Sequence, residues 1–173
     1  MINQELYNKT VKVLHQAYLK GTLKSGDCTA CACGNLVAAA NNYEIVTIKD
    51  NHYWKTKDKD YLSPIWNHVV GTISTTVTKR TFFGLKPKIN RTTEQYFRLD
   101  KYNESVKKEI SSTGYDLEDF ALIESAFEKG YTGSDKMFNA LISVIDCLDK
   151  IHKNTDATIT KDTKKLFELE IYN

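Results

Sequence analysis

The run Asp27-Cys28-Thr29-Ala30-Cys31-Ala32-Cys33-Gly34-Asn35 constrains this chain more than any other feature, because it opens directly into Leu36-Val37-Ala38-Ala39-Ala40. Three of the four cysteines fall within six positions, at the mouth of a helix whose small apolar side chains let a neighbour approach closely. Such a helix belongs at the centre of a core. The thiols admit three roles: small buried packing groups, ligands of a metal, or a reactive pair. A Cys-x-x-Cys turn such as Cys28 and Cys31 supplies two zinc ligands, and Cys33 could supply a third. His15, Cys147 or His152 would have to complete the set, since the second cysteine pair of a strong zinc signature is absent. A reactive thiol would need the lowered pKa that a helix N-terminus can confer, with His15 the nearest histidine in sequence. Gly34-Asn35 adds a weak anion-binding signal, because backbone N–H groups at a helix mouth can hold an anion.

Apolar periodicity surrounds this turn with helices. Ile2, Leu6, Val13, Leu14, Ala17 and Tyr18 predict a helix over 2–20, ended by Gly21, and a second runs over about 31–42. Helical texture returns at 102–112. Asp116 then caps a helix that carries Leu117, Phe120, Ile123 and Phe127 and closes at Gly130. The last long helix spans about 134–153, and a short element is expected at 165–171. Glu124 and Glu128, one turn apart, read as the solvated side of their helix.

Between them the texture changes. Residues 44–49 and 69–78 are β-branched, and 80–83 reads as a further short strand. The expected fold is therefore mainly α: a single domain of four or five helices around one core, with an inserted strand-bearing lobe over about 44–100. Both tryptophans lie in that lobe, and so does a charge imbalance. Ten Lys/Arg face five Asp/Glu between Ile45 and Asp100, a net +5 that leaves −3 for the rest of the chain. Basic groups interleaved with rings suit phosphates and bases. The candidate ligand contacts are Lys79, Arg80, Arg91, Trp54, Trp66 and Phe82, with Asn35 at the helix mouth as a second face. A net charge of only +2 makes duplex nucleic acid a poor partner and favours a small anionic ligand or a protein.

No stretch approaches the apolar length of a membrane span, and Met1-Ile2-Asn3-Gln4-Glu5 lacks the pattern of a signal peptide. The reading is a cytosolic chain, whose cysteines are thiols or ligands in preference to disulfides.

The segments Ala17-Tyr18-Leu19-Lys20-Gly21-Thr22-Leu23 and Cys28 to Ala38, with Thr113-Gly114-Tyr115, Ile123 to Glu128 and Leu141 to His152, resemble a family of small proteins encoded by phages and prophages of Bacteroidetes-type bacteria. The resemblance covers about the first 42 residues and 105–153, and not the middle lobe. Cys28, Cys31, Gly34 and Asn35 match the family's motif, whereas Cys33 is particular to this member. The family carries no established activity, so no catalytic residue follows from it. What it implies is action by binding, as in phage proteins that block a host defence enzyme or sequester its cyclic or adenine-containing nucleotide signal. The implied partners are thus a small anionic nucleotide or a host defence protein, with self-association a way to build the pocket. Zinc at Cys28 and Cys31 is the one cofactor the residues admit.

Overall fold

Asn3 starts the first helix by accepting the Leu6 N–H on its side-chain oxygen. Gly21 ends it in a left-handed conformation that returns its N–H to Ala17 and Tyr18. Between these caps α1 (Gln4–Lys20) buries Tyr7, Thr10, Val11, Leu14 and Ala17, a stripe at helical spacing. The computed structural model describes residues 3–62 and 104–171. Within them the remaining helices are α2 (Ala32–Asn41), α3 (Glu104–Ser111), α4 (Leu117–Gly130), α5 (Lys136–Ile151) and α6 (Ala157–Ile171). A three-stranded antiparallel sheet, β1 (Glu44–Ile48), β2 (Asn51–Lys55) and β3 (Tyr61–Leu62), follows α2 in that order. The molecule is mainly helical with a small β insertion, as its texture predicts.

α2 sits among α1, α3, α4 and β1. Seven of its ten residues, Ala32 to Ala38, are buried, which is why it is apolar on every side. α4 and α5 form the most extensive helix pair. Their approach depends on Gly130, where an added Cβ would lie 2.6 Å from Ser143 Cβ and 2.9 Å from Ala140 Cα. Leu141, Val144, Ile145 and Leu148 of α5 meet Phe120, Ile123 and Phe127 of α4 in one continuous core.

Two elements differ from the sequence expectation. The C-terminal helix is not confined to 165–171 but begins at Ala157. Among its described side chains only Thr163 and Phe167 are buried, so the surrounding Thr and Lys residues mask the stripe. The hairpin partner β2 is not among the strands that the sequence predicts. Its turn, Lys49-Asp50, has φ of 50° and 67°, the two positive values of a type I′ connection, reached without the usual Asn-Gly. Register pairs Glu44 with Lys55 and Ile45 with Trp54. The strands expected at 69–78 and 80–83 lie outside the described residues.

Candidate functional site

The cysteine turn is closed largely by its own backbone. Lys24 N–H reaches Ala30 O, Ala30 and Cys31 N–H both reach Asp27 O, and Asp27 Oδ1 accepts from Thr29 N–H. Cys31 is the N-cap of α2, and its sulfur accepts the Gly34 N–H at 3.3 Å. A side chain at Gly34 would fall on the carbonyl oxygens of Cys28 and Thr29, so only glycine lets the turn close over the helix start.

Asn35 completes the closure. Its amide nitrogen donates to Ala30 O at 2.9 Å, Cys31 O at 3.0 Å and Thr22 O at 3.3 Å, while its oxygen accepts from Thr22 Oγ1 at 2.9 Å. The side chain is buried and its bonds run inward. Asn35 is therefore a clamp joining the 22–31 segment to α2, and the expectation that it forms a ligand-contacting face is corrected.

The thiols are packed in the same way. Cys31 and Cys33 have no exposed surface, and Cys33 donates to Phe120 O of α4 at 3.3 Å. Burial pushes both thiols well above their ordinary pKa, and the neighbouring Glu124 adds to the shift. This is the reverse of the lowering expected at a helix mouth, because removal from water outweighs the helix dipole. Cys28 is partly exposed beside Cys31. Among the described residues, no three His, Cys, Asp or Glu side chains gather as a metal-holding group. Of the candidate further ligands, His15 packs its ring edge-on to Phe167 and His152 faces Tyr115, while Cys147 lies near enough to Cys33 to add to its shift.

Glu124 and Glu128 are not on a solvated face. Glu128 receives Ser25 Oγ at 2.5 Å and the Gly26 N–H at 3.0 Å, tying α4 to the turn. Glu124, one turn earlier, is buried beside Cys31 and Cys33. Its Oε2 has no hydrogen-bond partner among the described residues. Burial raises its pKa to about 7, Glu128 adding to the rise while the two cysteines oppose it.

The sheet is fastened to the same turn. Trp54 of β2 is fully buried, and its indole N–H donates to Thr29 O at 3.0 Å. Its ring lies 5.9 Å from that of Tyr43. A ring so enclosed has no open face for a base to stack on, so Trp54 is an anchor and not a ligand contact. Next to it, His52 Nδ1 lies 2.7 Å from Asp27 Oδ2, a contact in which the ring N–H donates to the carboxylate. This pair joins residues 25 apart in sequence, and only the unforeseen β2 brings them together. Lys79, Arg80, Arg91, Trp66 and Phe82 lie outside the described residues.

A second polar cluster was not legible at all. Thr10 of α1 donates to Leu6 O at 2.9 Å, and its oxygen meets Tyr115 OH at 2.7 Å. Tyr115 OH in turn meets His152 Nε2 at 3.0 Å. The three residues are 105 and 37 positions apart along the chain and share one buried path.

No helix among the described residues is long and apolar enough to cross a membrane. Comparison with known proteins finds no matching family model, no matching curated protein and no matching solved structure.

Proposed function

We propose that this chain acts by binding and not by chemistry, and that it holds a small anionic nucleotide through the basic, aromatic segment between Ile45 and Asp100. The observation that carries the reading is the segregation of charge: +5 in that segment against −3 in the remainder. The cysteine turn supports it from the other side. Thiols that are buried, protonated and bonded inward are poor nucleophiles, and the turn's other groups are spent on holding α2, α4 and β2 together. Lys79, Arg80 and Arg91 would neutralise phosphate while Trp66 and Phe82 stack on a base. With the resemblance to phage and prophage proteins, the function is that of an anti-defence factor acting in the host cytosol, which sequesters a cyclic or adenine-containing signal.

Native mass spectrometry tests this with cyclic AMP, cyclic di-AMP and ADP-ribose as probes. The expected result is a mass increment for one of them, lost in Arg80→Ala or Arg91→Ala, with the probe recovered unchanged after denaturation. No increment with any probe, or recovery of a cleaved probe, overturns it. One feature favours a second reading, a protein-binding inhibitor: Leu117 and Leu122 stand 40% and 49% exposed on α4. Leu122 also lines a groove between α4 and α5 with Ala126 and Ile151. Loss of activity in Leu122→Glu with nucleotide binding intact would select that reading.

A further inference from the structure

One stripe of α4 lies outside the core. Asp119, Leu122, Ala126 and Lys129 follow one another at intervals of three, four and three residues, the spacing of a coiled-coil seam. At 3.6 residues per turn the stripe is centred roughly 130° around the helix from the buried Phe120, Ile123, Glu124 and Phe127. Glu128 is also turned away from it, bound to Ser25 and Gly26. The stripe borders a groove of about 660 Å³ whose described lining comes from α4 and α5 alone, with Ser143 and Cys147 on the α5 side. Leu122, half exposed, is the one large apolar side chain that α4 brings to it.

The order of these four residues is its own complement. In an antiparallel pair of α4 helices whose two-fold axis passes level with Glu124, Asp119 meets the partner's Lys129 and Leu122 meets the partner's Ala126. Each pairing occurs twice, so two opposite-charge contacts flank two large-on-small contacts. A rise of about 1.5 Å per residue puts each charge about 7.5 Å from the axis, and both charge pairs come into register together. A parallel pair would set Asp119 level with the partner's Asp119 instead. The rim of the groove agrees. Asp146 and Lys150 of α5 also border it, which makes two acids and two bases among its described residues. A surface that meets its own copy needs both signs in balance, whereas a strongly acidic or basic partner finds no complementary field there.

We propose that this face is a homodimer interface, in which two copies pack their α4 helices antiparallel about a two-fold axis. Leu122 of each copy is the knob, and the hole it fills is the groove bordered by the partner's Ala126, Ser143 and Cys147. The seam is only about three turns long, so the dimer is weak and forms by concentration. It requires no nucleotide, and it stands or falls separately from the ligand reading.

Sedimentation velocity from micromolar to sub-millimolar protein, without ligand, reads the association. The wild-type chain is expected to show a monomer–dimer equilibrium. Asp119→Lys and Lys129→Asp each set like charges level at both ends of the seam, and each should raise the dissociation constant about tenfold or more. Leu122→Ala counts twice in a two-fold dimer and should weaken it by a similar factor. The register itself is tested by mixing. In an equimolar mixture of the Asp119→Lys and Lys129→Asp proteins, the cations of one copy face the acids of the other, so a dimer should return that neither protein forms alone. Circular dichroism confirms that each variant keeps its helices. A monomer at every concentration overturns the proposal, whatever other protein the groove then captures. So does a dimer indifferent to all three substitutions, or folded charge variants that mixing fails to rescue.

Discussion

Glu124 offers the sharpest quantitative test, because one atom of difference separates its two forms. Folded, the carboxyl is buried against Cys31 and Cys33, its Oε2 has no hydrogen-bond partner among the described residues, and burial raises its pKa from an ordinary 4.5 to about 7. The folded state therefore holds a proton that the unfolded chain has lost between these two values. Stability from this group is full below pH 4.5 and is lost as pH rises through 7. A shift of about 2.5 units at about 1.36 kcal/mol each makes the loss about 3 kcal/mol, an order-of-magnitude figure. Glu124→Gln keeps the shape and the donor but cannot ionise. Urea unfolding of both proteins, followed by circular dichroism from pH 4.5 to 8, isolates the group by difference. Asp119 and Glu109, also raised chiefly by burial, are common to both proteins and cancel. The variant should match wild type near pH 4.5 and exceed it by about 3 kcal/mol at pH 8. Parallel pH profiles, or a variant weaker at pH 8, would show that the carboxylate is stabilised in place and refute the argument.

Asn35→Ala removes four inward hydrogen bonds, while Ala30 O and Cys31 O keep their backbone donors at Lys24 and residue 35; a loss of about 3 kcal/mol in thermal or urea unfolding is expected. Trp54→Phe keeps most of the buried ring but abandons Thr29 O, so it should cost about 2 kcal/mol and speed hydrogen exchange in β1 and β2. Thiol labelling of the native protein should modify Cys28 first and leave Cys31 and Cys33 untouched until unfolding. Rapid native labelling of Cys31 would restore the reactive-thiol reading.

The helices were legible because each carries its own evidence: a stripe at period 3.6, a capping residue such as Asp116, a stop such as Gly21. The hairpin was not, since the Lys49-Asp50 turn uses residues that seldom take positive φ and β2 mixes His52, Trp54 and Lys55 without clean alternation. The start of α6 was hidden for a related reason: over 157–168 only Thr163 and Phe167 are buried, which leaves almost no hydrophobic period to detect. These are failures of local signal, corrected by tertiary packing.

The candidate site poses a different problem, since every residue in the cysteine turn has two readings until its partners are known. Gly34 could expose backbone to an anion or let carbonyls pass close, and the carbonyls of Cys28 and Thr29 decide for the second. Asn35 could face a ligand or clamp a loop, and Thr22, 13 residues away, decides for the clamp. Glu124 and Glu128 share a helix face, yet one is buried against thiols and the other holds Ser25 and Gly26. In each case the deciding atom is distant in sequence or belongs to backbone, which carries no residue identity. A motif of this kind therefore identifies where the fold is most constrained and does not by itself identify chemistry. The Thr10–Tyr115–His152 path makes the converse point. No spacing announces it, and only the packing of α1, the segment before α4 and the end of α5 brings the three side chains into one buried hydrogen-bonded path.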